Sequence, residues 1–364
     1  MSAVKVLALT KYGRLGASSR MRSLQYVPTL EQAGCQITVE PLLSDELLQA
    51  RYKRGGYGIS LLRAYGRRVR ALKGRRKFDV VWIEKEALPW WPLWLELFML
   101  RGVPYVLDYD DAIFHNYDQH ASSWVRRFFG SRLDKLMAKS ALVIAGNQYL
   151  AQRAINAGAR WVEVVPTVVD LTRYPYPTFE THSEKSPAID NLPRIVWIGS
   201  PSTVHYLQLL RKPLQELAAR QPFVLRVIGG GPLDLPGVQV EIIPWTEATE
   251  GENIRTCHIG VMPLLDSLWE RGKCGYKLIQ YMACGLPVVA SGVGANIEIV
   301  RHHKNGFLAN TANDWVASLS KLLQSPSLRE QMGAAGRITV EEKYSIQKTS
   351  PQISNFLKSI AGKH

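Results

Sequence analysis

Residues 269–290 read WERGKCGYKLIQYMACGLPVVA, which is a loop, a helix, a turn and a buried strand in succession. The loop is basic and broken by glycine (Arg271, Gly272, Lys273, Gly275). The helical pattern follows through Tyr276, Ile279, Met282 and Ala283, Gly285-Leu286-Pro287 stops it, and Val288-Val289-Ala290 is an apolar strand. A helix N-terminus carries unpaired N–H groups and a partial positive charge, so lysines there are unfavourable unless an anion joins them. Lys273 and Lys277 stand at that end, with Gly275 permitting close backbone approach. Taken alone, the window fits an anion site and an ordinary helix with solvated lysines equally well.

The same strand-loop-helix order extends on both sides. Upstream, residues 194–198 form a strand that ends in Gly199-Ser200-Pro201-Ser202-Thr203, and a helix follows through Leu207, Leu210, Leu214 and Leu217. Strands at 223–228 (before Gly229-Gly230-Gly231), 240–243 (ending at Pro244-Trp245) and 259–262 continue the series. The first half opens with a strand at 5–10, a loop carrying Gly13, Gly16, Ser19 and Arg20, a helix to Gly34 and a strand at 36–40. Such βα units build doubly wound parallel sheets, whose ligands meet the carboxyl ends of the strands. The dinucleotide fingerprint GxGxxG is absent, so the first loop is not read as an NAD site. Ser19 suits an N-cap and a ligand contact about equally.

Further strands are expected at 78–83, 103–107, 141–145 and 162–165, with Asn147 capping a helix that runs to about Gly158. The strand at 103–107 ends in Asp108-Tyr109-Asp110-Asp111. Carboxylates so close repel unless a proton, a cation or a polar substrate relieves them. They are the candidate catalytic groups; an Asp-Tyr-Asp metal site and a capping role for Asp111 are the weaker readings.

Two domains suit 364 residues, and 46% hydrophobic with 21% charged residues describes a foldable globular chain. A net charge of +14 implies an anionic partner without choosing among nucleic acid, phosphate-bearing substrate and membrane. Cys35, Cys257, Cys274 and Cys284 have no metal or disulfide spacing, and no apolar run is long enough for a signal peptide or a membrane span, so a cytoplasmic setting is expected. Residues 51–77 hold eleven basic and no acidic residues. Ile59, Leu62, Tyr65, Val69 and Leu72 recur there at helical spacing, with Arg63, Arg67 and Arg70 elsewhere on the wheel. That segment suits an anionic membrane surface, a core-facing helix with a basic outer face or, less well, nucleic acid. Trp90, Trp91 and Trp94 suit a membrane interface or a packed core.

Several words in the sequence resemble those of glycosyltransferase family 4, which has the GT-B fold. They are VPTVVD at 165–170, QYMACGLPVVA at 280–290, VGANIEIV at 293–300 and NGFL at 305–308. The resemblance implies two doubly wound Rossmann-like domains facing across a cleft: an acceptor-side domain at 1–175, a linker at 176–193, a nucleotide-sugar domain at 194–345 and a C-terminal helix at 346–364 returning to the first. It further implies a retaining, metal-independent hexosyltransferase whose co-substrate is a UDP- or GDP-linked sugar, with no cofactor. Of the two glutamates eight positions apart that are usual in the family, the ribose position falls on Gln280 and the sugar position on Gly272, two residues after Glu270. An arginine and a Lys-Gly pair usual after the first strand of the second domain are replaced by Ser200-Pro201-Ser202-Thr203, so Lys273 and Lys277 are inferred to neutralise the donor diphosphate. The donor-binding set on this reading is Gly16, Ser19, Arg20, Gly199, Ser200, Ser202, Thr203, Trp245, Lys273, Gly275, Tyr276, Lys277 and Gln280, and Asp108, Asp110 and Asp111 orient the acceptor hydroxyl. The expected acceptor is a lipid-linked glycan for cell-surface polysaccharide, met by a peripheral enzyme on an anionic inner membrane face. Rival readings are a sugar-nucleotide epimerase of the same fold, a two-lobed binding protein, and a basic nucleic-acid- or membrane-binding protein without catalysis.

Overall fold

Strands whose residues are apolar almost without interruption belong in parallel sheets covered on both faces, and that is where these lie. The structure, a computed structural model, describes residues 3–54, 59–175 and 192–362. The expected linker at 176–193 therefore falls almost wholly outside the described residues, as do residues 55–58 of the basic segment. One six-stranded sheet has the order β2-β1-β3-β4-β5-β6, from Val4–Tyr12 (β1), Cys35–Leu43 (β2), Val80–Glu84 (β3), Tyr105–Tyr109 (β4), Leu142–Ala145 (β5) and Val162–Val164 (β6). The other has the order β12-β11-β10-β7-β8-β9, from Arg194–Ile198 (β7), Val224–Ile228 (β8), Gln239–Ile243 (β9), Ile259–Met262 (β10), Val288–Ala290 (β11) and Gly306–Leu308 (β12). Every pairing is parallel, and β3, β4, β5, β8, β10 and β11 are buried along their whole length. In the second sheet the order reverses between β7 and β10, and in the first between β1 and β3. These switch points are where open α/β sheets open a crevice at their carboxyl ends.

Two units carry these sheets. The first comprises Met1–Thr167, Arg271–Cys274 and Ile346–His364, the second Val168–Glu270 and Gly275–Ser345. The C-terminal helix Ile346–Ala361 belongs to the first unit, where Thr349 Oγ1 and Tyr26 Oη lie 2.8 Å apart and Ser350 Oγ donates to Thr29 Oγ1 at 2.6 Å.

The basic segment forms the helix Ser60–Lys73, but its inward face differs from the stripe read in the sequence. Ala64, Arg68 and Leu72 are buried whereas Ile59 and Leu62 are exposed. The cause is Arg68: its guanidinium crosses under the helix to donate to the backbone oxygens of Thr10 and Glu40, and burial lowers its pKa to about 10. A basic residue thus takes a core position, and two apolar ones are turned to solvent.

Candidate functional site

At the carboxyl ends of β1, β3 and β4 a buried lysine organises the first unit. Lys85 follows β3 with φ +66°, a left-handed conformation that is costly for a residue bearing a Cβ. Its Nζ donates to Ser18 Oγ at 2.9 Å and lies 2.8 Å from Asp110 Oδ1 and 3.6 Å from Asp111 Oδ2. Ser18 donates in turn to Asp110 Oδ2. Burial opposes the charge on Lys85, but Asp110, Asp111 and Glu84 outweigh it and raise its pKa. Burial likewise opposes the charge on Asp110, and the Lys85 ammonium with the hydrogen bonds from Lys85 and Ser18 overcomes it, holding that carboxyl below its ordinary value.

The three candidate carboxylates therefore separate. Asp108 is wholly buried, with Oδ1 accepting from Arg22 Nε at 2.7 Å, while Arg22 Nη1 donates to Val165 O at 2.8 Å. Burial pushes the Asp108 carboxyl up to about 6 against the pull of Arg22. Asp108 is thus a core ion-pair residue, which corrects the reading that places all three beside a substrate. Asp110 and Asp111 keep 12% and 31% of their side chains exposed. The Asp-Tyr-Asp metal reading also loses its footing, because Arg22 and Lys85 already neutralise its two carboxylates.

Gly16 caps the helix Ala17–Arg22 through its backbone, and a Cβ there would lie 2.2 Å from Tyr12 Cβ. Ser19 sits inside that helix, not at its cap: its Oγ accepts from Tyr12 N at 2.9 Å and donates to Glu84. Arg20 is buried and donates to Arg14 O at 2.9 Å. In these contacts all three shape the loop after β1.

The loop Arg271–Cys274 belongs to the same unit. Asn147, the N-cap of the helix Gln148–Asn156, donates to Lys273 O at 3.1 Å, and Cys274 Sγ lies 3.1 Å from Asp110 O. Lys273 Nζ is 3.7 Å from Asp111 Oδ1, which places its ammonium beside these carboxylates. Gly272 explains a departure from the family pattern: a Cβ there would come within 2.5 Å of Ala112 Cβ and 2.7 Å of Ala112 N. No glutamate fits at that position. Glu270, in the second unit, is buried and accepts from Tyr206 Oη and Ser267 Oγ.

In the second unit the helix Tyr276–Ala283 starts after Gly275, which caps it at φ +65°. A Cβ on Gly275 would lie 2.3 Å from Ile299 Cδ1, so the turn requires glycine in both conformation and space. Lys277 lies in the first turn with its ammonium 5.3 Å from the centroid of Trp197 on β7. Tyr276 packs against the core. Beyond β7, Gly199 sits against the Trp197 ring, and Ser200, Ser202 and Thr203 form a hydroxyl cluster with Ser200 Oγ and Ser202 Oγ 2.8 Å apart. Gln280 and Trp245 are linked through two further residues, Tyr174 and Glu250. Gln280 Nε2 donates to Tyr174 Oη at 2.9 Å, Tyr174 Oη donates to Glu250 Oε1 at 2.9 Å, and Trp245 Nε1 donates to Glu250 Oε2 at 2.8 Å. Arg173 completes this hub, and a cavity of about 280 Å³ lies beside it, lined in part by Arg173, Tyr174, Glu250, Arg255 and Cys284.

Sequence reading missed Lys85, Arg22, Tyr174 and Glu250. Glu84-Lys85-Glu86, three charges at the end of an apolar strand, was the available signal for the first; the other three take their partners from distant parts of the chain and left no local mark.

Two family models match the chain: one described as glycosyl transferase 4-like domain over residues 3–168 and one described as glycosyl transferases group 1 over residues 192–325. Among curated proteins, the chain is 25% identical over 199 residues to the D-inositol 3-phosphate glycosyltransferase of Pseudarthrobacter chlorophenolicus, covering 50% of this chain and 46% of that protein. It is 29% identical over 104 residues to the human alpha-1,3/1,6-mannosyltransferase ALG2, covering 28% and 21%. The matched stretches thus span under half the length of these relatives. Among solved structures, Anabaena HepE in complex with UDP and glucose superposes with a TM-score of 0.71 at 16% identity, covering 98% of this chain and 100% of that one. Sucrose-phosphate synthase from Thermosynechococcus elongatus gives 0.70 at 14% identity, covering 99% and 100%.

Proposed function

The chain belongs to glycosyltransferase family 4, with the GT-B fold, and from that premise we propose that it is a retaining, metal-independent hexosyltransferase using a UDP- or GDP-linked sugar and a lipid-linked glycan acceptor. The observation that carries the donor half is the start of the helix Tyr276–Ala283. Its first N–H groups open behind a left-handed Gly275, with Lys277 in the first turn, on the sheet whose order reverses between β7 and β10. Breaking the sugar–phosphate bond develops positive charge at the anomeric carbon and negative charge on the leaving diphosphate. Fixed positive groups aimed at the phosphates lower that barrier without a metal.

The role of Lys277 is to neutralise the diphosphate, while the Ser200, Ser202 and Thr203 hydroxyls and the Gly199 backbone offer neutral contacts beyond β7. Gln280 acts through the Glu250 hub to fix the floor of the site. On the acceptor side, Asp111 orients the attacking hydroxyl, and Lys85 with Ser18 keeps the neighbouring Asp110 ionised. The hydroxyl attacks from the face the diphosphate leaves, which retains the anomeric configuration. Lys273, paired with Asp111, belongs to the acceptor side of this scheme. The product enters cell-surface polysaccharide, made by a peripheral enzyme on the cytoplasmic face of an anionic membrane. The exposed arginines of the helix Ser60–Lys73 support that setting.

Incubation with UDP- and GDP-sugars, with and without a polyprenyl-diphosphate-linked glycan, tests the reading. Nucleoside diphosphate release that rises sharply with acceptor, together with an extended product of retained configuration, is expected. Interconversion of the donor sugar with no acceptor dependence would identify an epimerase instead.

A further inference from the structure

We propose that the helices Ser60–Lys73, Leu93–Leu100 and Ser123–Phe129 form an aromatic platform that inserts into the headgroup region of an anionic lipid bilayer, an inference that rests on the lipid-linked acceptor just described. Every exposed tryptophan and phenylalanine among the described residues lies on or beside these helices: Trp90, Trp94, Phe98, Trp124 and Phe128, with Trp94 at 69% and Phe98 at 65% exposure. Trp94 and Phe98 are four residues apart and so share one helix face. Ring contacts tie the elements together: Tyr65 stacks on Trp91 at 5.6 Å, Trp90 meets Tyr117 at 4.7 Å, Tyr117 stacks on Phe129 at 6.2 Å, and Phe129 meets Trp124 at 6.0 Å.

The underside is held rigidly. Arg132, buried, pairs with Glu86 and Glu96 and donates to Trp91 O at 2.9 Å and Leu88 O at 2.7 Å, while Glu96 Oε1 accepts from Ala87 N at 2.7 Å. This hub fixes the turn on which Trp90 stands in a left-handed backbone at φ +63°, half exposed. Trp90 meets the buried Tyr117, yet about half of its surface is turned to water; strain of this kind persists where function uses it.

Charge selects the occupant. Arg63, Arg67, Arg70, Arg126 and Arg127 are exposed on these helices, whose one carboxylate, Glu96, is buried on Arg132. A second copy docking on this face about a two-fold axis would set arginine against arginine. Anionic headgroups instead complement the arginines, and the interface zone of a bilayer takes tryptophan and phenylalanine beside them.

The test is flotation of the full chain with phosphatidylglycerol–phosphatidylcholine vesicles and with phosphatidylcholine vesicles, using the parent and the variants Trp94→Ala/Phe98→Ala and Trp124→Ala/Phe128→Ala. The parent should bind the anionic vesicles and release with salt, and each double variant should bind at least tenfold more weakly, since each lost aromatic is worth roughly a factor of ten. Brominated lipid should quench the parent's tryptophan emission and quench less in the Trp94 variant. Parental binding by both double variants overturns the platform, as does a parent that binds no vesicle or a parent dimer that the variants dissociate. Transfer to a detergent-dispersed lipid-linked acceptor reads the underlying function separately. Both variants should retain it; vesicle binding by a parent that transfers to no such acceptor would leave the platform standing and the acceptor assignment wrong.

Discussion

Replacing Lys85 with methionine keeps most of the buried volume and removes the charge that Asp110, Asp111 and Glu84 share. Asp110, with 12% of its side chain exposed, would be left with Ser18 as its remaining side-chain partner. Breaking one side of a buried ion pair typically costs about 3–5 kcal/mol. The cost depends on pH in a defined direction. In the parent, Asp110 is held below its ordinary value, so it contributes stability above the ordinary carboxylate range and loses it as pH falls. In the variant, burial acts unopposed by Lys85 and raises the same carboxyl, so its ionisation destabilises the fold at high pH. The deficit is therefore largest near pH 8 and shrinks toward pH 5. Amide hydrogen exchange in β3 and β4 reads the first unit on its own, and a loss of about 3 kcal/mol speeds global-opening exchange by roughly two powers of ten. A deficit under about 1 kcal/mol at pH 8, or one equal at both pH values, would refute the organising role of Lys85.

Gly272→Ala forces a Cβ to within 2.5 Å of Ala112 and should cost about 1–3 kcal/mol by overpacking, read as faster exchange at Ala112 and its neighbours; an unchanged rate there counts against the close approach. Because the Asp108 carboxyl is raised to about 6 in the fold, its contribution to stability is complete below the ordinary aspartate value and is lost as pH rises through 6. A carbon-13 titration should find that carboxyl near 6 in the parent and higher in Arg22→Met; a midpoint near 4 contradicts the burial. Transfer activity should survive EDTA, whereas abolition by EDTA with rescue by manganese would restore a metal to the mechanism. Arg63→Glu, Arg67→Glu and Arg70→Glu together should reverse the preference for anionic vesicles, at roughly 1 kcal/mol for each arginine lost near the surface.

The fold was legible because its information is local. An apolar strand, a glycine loop and an amphipathic helix repeat along the chain, and parallel pairing needs only that pattern. Residues 269–290 carried it furthest, since Gly275 and Pro287 mark both ends of a helix that runs from Tyr276 to Ala283. The site was legible only in part, because its partners come from distant sequence. Asp108 reads as catalytic by position, yet Arg22, on a helix 86 residues earlier, takes it into the core. Lys273 reads as part of the helix start because it is three residues away along the chain, while its ammonium lies near Asp111. Arg68 drew no reading of its own, because hydropathy says nothing of the two backbone oxygens it reaches. Gly272 looked like a lost glutamate; the space beside Ala112 makes it a requirement.

The central claim is that the second unit holds a nucleoside diphosphate-sugar with Lys277 at its phosphates. Calorimetric titration of the full chain with UDP-glucose, GDP-mannose and their free diphosphates tests it most directly, repeated on Lys277→Ala. Saturable one-to-one binding of one nucleotide class, competed by its free diphosphate and weakened at least tenfold in Lys277→Ala with unchanged thermal unfolding, is the predicted result. Equal affinity in parent and variant, or no binding of either nucleotide class, would contradict the account.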